Sequence, residues 1–287
     1  MGPEYYEITD ILEDKSTLVF DTGVFNRSRG RSNLLDRLKQ ARRIPNQELW
    51  NGGIEALCPE IESEIKYIEF WTDDLQKRDN RITTRGIGLE LLEYYKIIKS
   101  FKEKTEGNLG VALQDLEIAL SFAVAGVFEH AITLAEQLIE RNKPRFDQYV
   151  EWLTKFTELD EAERLRRATK DDEITEFVRT IRLQHGIEDP PSQDPPFVEK
   201  YHSRKKDRAN DNELVALSLI SAWEHPTTVL TLDARDVGNA SKTIYGKRSN
   251  LGLEVSFELP PNPYKVFVGF EEGWRLWLDS AHNPPIK

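Results

Sequence analysis

The sequence of 287 residues contains a single cysteine, Cys58. One thiol can form neither an internal disulfide nor a cysteine-based zinc cluster, and this favours a reducing compartment, for which we expect the cytoplasm. The start MGPEYYEITD has no secretory or myristoylation pattern. The longest apolar run, ALSFAVAGVF at 119–128, is about ten residues, whereas a membrane-spanning helix needs roughly 20. We therefore expect no membrane contact and a buried helix at 119–128.

Several catalytic motifs are also missing. No glycine-rich phosphate-binding loop is present, which argues against nucleotide hydrolysis of the P-loop type, and no G-x-S-x-G motif supports a serine nucleophile. The five histidines lack metal-ligand spacing, and His130 lies in an apolar helical pattern, where a buried structural role is the simpler interpretation.

Positive net charge is absent as well, since the formal charge is −11 at pH 7. This net charge argues against general, non-specific coating of nucleic acid, because phosphate binding draws its affinity from Lys and Arg. Two basic segments nevertheless stand out, one between residues 27 and 43 and the other, SRKKDR, at 203–208.

Hydrophobic patterning predicts an α/β fold. Short apolar runs that end in turn residues predict strands at STLVF (16–20) and TTVLTL (227–232). LEVSFEL (253–259) and YKVFVGF (264–270) are expected to add a core strand and an edge strand or hairpin. Amphipathic spacing predicts helices at 34–43, 59–71 and 211–225.

The middle of the chain is predicted to be helical. Amphipathic segments lie at 87–103, 109–141, 144–158 and 172–184, and the block closes with the proline-rich stretch EDPPSQDPPF at 188–197. We predict a discontinuous α/β domain at 1–75 and 200–287 and an all-helical insertion at 76–199. The apolar helices are interpreted as the core of the insertion, with a protein-binding or dimer face as the alternative.

Acidic residues occupy the positions where an open α/β sheet binds ligands, outside the carboxyl ends of its strands. Asp21 and Asp233 each follow a predicted strand, and Asp236 comes three residues later. Asp211 is expected to open the helix before the second strand, and Glu64 lies on the helix after the first. Clustered carboxylates need a neutralising cation, and oxygen ligands without His or Cys suit Mg²⁺ or Mn²⁺.

Each acid also has a purely structural interpretation. Asp21, Asp211 and Asp233 could cap helices, and Glu64 could belong to a solvated face. Their joint placement favours a metal site, which would activate a water and stabilise charge on a phosphate. Thr22 adds a hydroxyl that could position a ligand or a phosphate oxygen.

The order of these motifs resembles the PIN-domain family of nucleases. TLVFDTGVF resembles the family's first strand, with Asp21 as metal ligand followed by the small hydroxyl residue Thr22. CPEIESEI resembles its second motif and favours Glu64 over Glu62. DNELVALSL and VLTLDARD resemble the third and closing motifs, which point to Asp211, Asp233 and the accessory acid Asp236.

The resemblance covers residues 16–72 and 207–270 and implies a three-layer α/β/α sandwich with a mainly parallel sheet. It further implies a metal-dependent endoribonuclease with Mg²⁺ or Mn²⁺ and RNA as the substrate. The implied catalytic ligands are Asp21, Glu64, Asp211 and Asp233, with Asp236 also at the metal. The long helical block departs from the compact family pattern, and an inhibitor protein or a second copy of the chain could bind there.

The basic segments flank these motifs and are expected to grip the phosphate backbone. The expected contact residues are Arg27, Arg29, Arg31, Arg204, Lys205, Lys206, Arg208 and Arg235. Solvated loops are the alternative for both segments, and Arg235 could instead pair with an acid.

Two other functions are consistent with parts of the sequence. A phosphatase of the haloacid-dehalogenase type also begins with a strand ending in Asp, but it needs a second acid where this chain has Gly23. A PIN-like scaffold that binds RNA or protein without cutting would be expected to lack ligands, and all four are present. The presence of ligands does not by itself establish turnover.

Overall fold

The computed structural model describes residues 4–12, 15–25, 34, 58–103, 105, 107–185, 207–246, 251–270 and 272–281. Within these ranges the chain has an α/β fold with a mixed six-stranded sheet, as the sequence predicts at this level. Across the sheet the strands are β1 (Tyr5–Tyr6), β6 (Gly273–Asp279), β5 (Tyr264–Phe270), β4 (Thr227–Thr231), β2 (Thr17–Phe20) and β3 (Arg81–Ile82).

The strands β3, β2, β4 and β5 are parallel, and β6 is antiparallel to both β5 and β1. Leu18 of β2 pairs with Arg81 on one side and with Thr228 on the other. All residues of β2 and β4 are buried, which explains their unbroken apolar and Thr-rich sequences. The carboxyl ends of these parallel strands therefore meet at one edge of the sheet.

The helices are α1 (Ile8–Leu12), α2 (Cys58–Gln76), α3 (Arg85–Lys102), α4 (Gly107–Phe122), α5 (Glu129–Arg141), α6 (Lys143–Gln184), α7 (Asp207–Glu224) and α8 (Asn239–Tyr245). A 3₁₀ turn, Thr22–Phe25, follows β2, and π-helical segments lie at Ala123–Phe128 and Ala234–Gly238. With 42 residues, α6 is about 60 Å long at a rise of ~1.5 Å per residue.

The strand predictions are confirmed for β2, β4 and β5, but the predicted strand at 253–259 is wrong. Within 251–263 the structure has only an isolated bridge residue. The reason is that aromatic side chains of α6 donate hydrogen bonds to carbonyl groups of this segment. Trp152 Nε1 donates to Glu254 O at 3.0 Å, and Tyr149 Oη donates to Glu258 O at 3.2 Å. The hairpin partner of β5 is instead β6.

The helical insertion is predicted to begin at residue 76, but one strand of the sheet follows that residue. Strand β3 lies inside the predicted insertion and forms the edge strand beside β2. The following region is helical as predicted, except that the segments expected at 144–158 and 172–184 are one helix. The two regions share one core, in which Phe128 packs against Phe20 with ring centroids 5.4 Å apart.

The helical stretch from Gly107 to Arg141 includes the predicted buried helix at 119–128. It is buried along one face only, because Leu120 lies in the core whereas Phe122 is 63% exposed. Its 35 residues, with a mean hydropathy of 1.7 in the most apolar window, would suffice by length and composition to cross a membrane. Core helices of soluble proteins meet the same criterion, so this is weak evidence for a span.

Candidate metal centre

Asp21 follows β2 directly, as predicted, and only 8% of the residue is exposed. Thr231, the last residue of β4, donates a hydrogen bond to Asp21 Oδ2 at 2.9 Å. The hydroxyl of Thr22 lies 3.1 Å from Oδ1. Burial raises the pKa of Asp21, the charge of Asp233 adds to the rise, and these hydrogen bonds oppose it. The carboxylate is therefore held in a defined orientation at the edge of the sheet.

Asp233 lies just beyond β4 and begins the π-helical segment. Its Oδ1 accepts the backbone N–H groups of Arg235 and Asp236, both at 2.7 Å. The capping role considered for Asp233 is thus confirmed, but both bonds fall on one of its two carboxylate oxygens. The other oxygen can still serve as a ligand, so the capping role and the metal role are compatible.

Asp236 lies on the third residue of that segment. Burial and the charge of Asp233 raise its pKa, whereas the guanidinium groups of Arg208, Arg164 and Arg235 lower it. The acidic and the basic neighbours of Asp236 therefore act on its pKa in opposite directions.

Asp211 lies in the second turn of α7. The prediction that it opens this helix is wrong, because α7 begins four residues earlier at Asp207. Burial and, to a smaller extent, the charges of Asp21, Asp233, Asp236 and Glu90 together raise the pKa of Asp211 to about 9. Such crowding makes a neutral acid the favoured state unless a cation compensates for the negative charges.

Three of the predicted acids can contact one ion. One carboxylate oxygen each of Asp211, Asp233 and Asp236 lies within 4.8 Å of the others. The donors are all hard oxygen atoms, which fit Mg²⁺ or Mn²⁺ better than softer ions. The residues present are therefore compatible with the cation that the sequence implies.

Glu90, on α3, is a further acid at this site that the sequence analysis missed. Thr22 Oγ1 donates to Glu90 Oε2 at 2.8 Å, and Asn210 Nδ2 donates to Glu90 Oε1 at 2.8 Å. Glu90 has the same place in the chain order as the predicted acids, after a parallel strand. Strand β3 is followed by Thr84, whose side chain accepts Ile87 N at 3.4 Å and caps α3, and then by the helix that carries Glu90.

A close approach of α3 and α7 positions this glutamate. A Cβ atom at Gly86 would lie 2.3 Å from Asn210 Oδ1 and 2.6 Å from Asn210 Cγ. The missing side chain at Gly86 lets Asn210 lie against α3, where its amide reaches Glu90. Glycine at this position thus couples the two helices that carry Glu90 and Asp211.

Glu64 lies on α2, within the helix that the sequence predicts. It is only 4% exposed, which excludes the alternative of a solvated acidic face. The glutamate whose charge acts on Asp211 is nevertheless Glu90 on α3. The assignment of Glu64 as a metal ligand stays a prediction.

A cavity of about 300 Å³ opens beside Asp211 and Asp236, between α6, α7 and α8. Of the expected substrate contacts, Arg208 and Arg235 line it. Arg208 is buried and lies 3.5 Å from Glu161, so it is not part of an exposed loop. The other expected contacts lie outside the described residues: Arg27, Arg29, Arg31, Arg204, Lys205 and Lys206. The proline-rich stretch and nearly all of the helix predicted at 34–43 also lie outside them.

The site thus brings together acids from the segments that flank three parallel strands, β2, β3 and β4. The hydroxyls of Thr22 and Thr231 donate hydrogen bonds to Glu90 and Asp21. Such an arrangement can hold a divalent cation at the carboxyl edge of the sheet, next to a cavity with basic walls. Comparison with known proteins adds no relative: no protein-family model matches the chain, and neither a curated protein nor a solved structure is significantly similar to it.

Proposed function

We propose that the protein is a PIN-like nuclease that hydrolyses phosphodiester bonds of RNA with Mg²⁺ or Mn²⁺. The observation that carries the proposal is the convergence of Asp21, Asp211 and Asp233 at the edge where β2 and β4 end. The three-layer sandwich and the helical insertion belong to the same proposal. The parallel order β3-β2-β4-β5 supports the sandwich, and the run of helices between β3 and β4 supports the insertion.

The acids have distinct tasks in this proposal. Asp211, Asp233 and Asp236 hold the cation, and Asp21 completes the acidic edge in an orientation fixed by Thr231. Glu90 is an additional ligand, or it orients a water, because Thr22 and Asn210 fix both of its oxygens. When bound, the cation supplies an activated water and compensates for charge on the phosphate and the leaving oxygen.

RNA as the substrate and endonucleolytic cutting follow from the family resemblance of the four motifs. The cytoplasmic location is part of the same proposal and rests on the single cysteine. A partner protein or a second copy of the chain at the helical block stays a secondary proposal, for which the exposed side chains of Val111 and Phe122 on α4 offer apolar surface.

The phosphatase alternative loses support from the environment of Gly23. A Cβ atom at this position would lie 2.9 Å from Leu232 Cγ, so a second acid would have to displace that side chain. The non-catalytic scaffold has no such steric obstacle. Only a measurement of activity distinguishes this scaffold from a nuclease.

The decisive experiment measures cleavage of RNA and of DNA oligonucleotides with Mn²⁺, with Mg²⁺ and with EDTA. Asp211→Asn is compared with Glu213→Gln, which changes an exposed acid two residues away on the same helix. We expect metal-dependent RNA cleavage that falls at least about 100-fold in Asp211→Asn and little in Glu213→Gln. A folded wild-type protein that binds Mn²⁺ and cuts neither polymer would establish the scaffold instead.

A further inference from the structure

The cavity beside the metal centre has an unusual donor in its wall. Arg164, on α6, places Nη2 2.6 Å from Asp160 and Nη1 3.8 Å from Asp236 Oδ1. The second distance is too long for a hydrogen bond. Nη1 is buried and has no hydrogen-bond acceptor among the residues that the structure describes. A buried cationic N–H group without an acceptor is costly, and a ligand oxygen in the cavity would remove that cost.

The charges around the cavity favour an anionic ligand. Its basic lining residues are Arg164, Arg167, Arg208, Arg235 and Lys242. The acid Glu163 is already paired with Arg166 and Arg167, whose hydrogen bonds lower its pKa to about 2, and Asp160 is paired with Arg164. Asp211 and Asp236 are the other acidic lining residues, and they belong to the metal centre. With a cation held there, the cavity carries an excess of positive charge.

The size and the polar lining indicate what kind of anion fits. A volume of about 300 Å³ lies at the lower end of the range for small-molecule sites, which is roughly 300–1,000 Å³. Asn239 and Thr243 of α8 add an amide and a hydroxyl to the wall. Guanidinium groups match the geometry of phosphate oxygens and can donate two hydrogen bonds at once.

We propose that this cavity binds a phosphate group carried by a nucleotide, with Arg164 Nη1 as a donor to a phosphate oxygen. The proposal rests on the proposed nuclease function for its setting, since the phosphate is that of the nucleotide next to the bond that is cut. The same chemistry would accept a free nucleoside monophosphate. The long helix α6 then has a task in substrate binding, because it supplies Arg164 and Arg167 to the cavity wall.

The test compares Arg164→Gln with Arg166→Gln. Both variants remove a guanidinium group of α6 that is paired with an acid of the same helix. Arg166 has a side chain that is 77% exposed and does not line the cavity. Arg164→Lys is a third variant, which keeps the charge but loses the planar pair of donors. Circular dichroism and thermal melting establish that each variant is folded.

One arm measures the binding of AMP and of adenosine by calorimetry in the presence of Mn²⁺. We expect AMP to bind and adenosine to bind far more weakly. Arg164→Gln should weaken AMP binding about tenfold or more, Arg164→Lys less, and Arg166→Gln less than about twofold. Absent AMP binding by the folded wild-type protein, or AMP binding that Arg164→Gln leaves unchanged, would overturn the proposal.

The second arm measures the KM and kcat for RNA cleavage and the salt dependence of KM. Arg164→Gln should raise KM with a smaller change in kcat, and it should reduce the slope of log KM against log salt concentration by about 0.7. Active enzyme with equal KM values for Arg164→Gln and Arg166→Gln contradicts the RNA subsite, and the nuclease proposal survives. Arg164-dependent AMP binding without any cleavage leaves the phosphate site in place, with free nucleotide as its ligand, and the nuclease proposal fails.

Discussion

Thr231 connects the two halves of the acidic site, because its hydroxyl donates to Asp21 Oδ2 at 2.9 Å. Thr231 Oγ1 also accepts the backbone N–H of Asp233 at 2.9 Å. Thr231, at the end of β4, therefore orients the side chain of Asp21 and also holds the backbone of Asp233. Neither contact is visible as a sequence motif.

Thr231→Val should lower nuclease activity about 10–100-fold, because Asp21 loses its orienting donor and Asp233 N loses its acceptor. The free energy of unfolding should fall by about 1–3 kcal/mol. Thr228→Val is the matched control, since Thr228 is also buried in β4 but bonds to Ser16 at 2.8 Å. It should lose similar stability and keep its activity. Equal activity losses in both variants would show that Thr231 has only a structural role.

Removing the charge of Asp211 should stabilise the metal-free protein. Because the pKa of this acid rises from 3.8 to about 9 on folding, the folded state binds the proton more tightly than the unfolded state. This contribution to stability is complete below pH 3.8 and is lost as the pH rises toward 9. In EDTA the wild-type melting temperature should therefore fall between about pH 5.5 and pH 8.5 more than that of Asp211→Asn.

At about pH 8.5 in EDTA we expect Asp211→Asn to be more stable than wild type by about 1–3 kcal/mol. Mn²⁺ should raise the melting temperature of wild type but hardly that of the variant, because the variant lacks a ligand. Glu213→Gln should respond to Mn²⁺ like wild type. A variant that melts at or below the wild-type temperature under these conditions would contradict the crowding of charges at Asp211.

Glu90→Gln should lower RNA cleavage at least about tenfold, because its carboxylate contacts Thr22 and its charge acts on Asp211. Glu93→Gln, on an exposed position of the same helix, should have little effect. Glu64→Gln tests the glutamate favoured by the family resemblance. If Glu64→Gln abolishes cleavage while Glu90→Gln retains it, Glu90 is neither a ligand nor the group that orients a water.

Gly86→Ala should weaken the coupling of α3 and α7. The added methyl group would lie 2.3 Å from Asn210 Oδ1, so the Asn210 side chain must move away from Glu90. We expect a loss of about 1–3 kcal/mol in stability and a decrease in cleavage rate. Gly126→Ala is the control, since its methyl group meets only the end of Gln76 at 3.3 Å. Wild-type activity in Gly86→Ala would show that Asn210 does not position Glu90.

The positions of Asp21 and Asp233 could be predicted because each follows a short buried strand with an unbroken apolar or threonine-rich sequence. Glu90 could not, because its strand β3 has two residues and one is Arg81. The structure buries this arginine, with Nε 3.3 Å from Asp74 and Nη2 donating to Leu12 O at 3.2 Å. A buried cation in a strand depends on partners from elsewhere in the chain, and local patterning cannot indicate them.

The same limitation explains the segment at 253–259. Its alternating pattern is typical of a strand with one buried face, and Phe257 does pack against Tyr149 and Trp152 of α6. The pattern correctly indicates which side chains are covered. It cannot indicate that aromatic side chains of a helix, rather than another strand, bond to its carbonyl groups.

The bond between Thr231 and Asp21 joins residues that are 210 positions apart in the chain. The amino-terminal half of the site is therefore synthesised long before its partner residues exist. At about 5–20 residues per second, a ribosome needs on the order of 10–40 s to complete the second half. During that time the nascent chain carries an incomplete acidic site next to the messenger RNA that encodes it. The order of the elements thus delays assembly of the site until Thr231 has been synthesised.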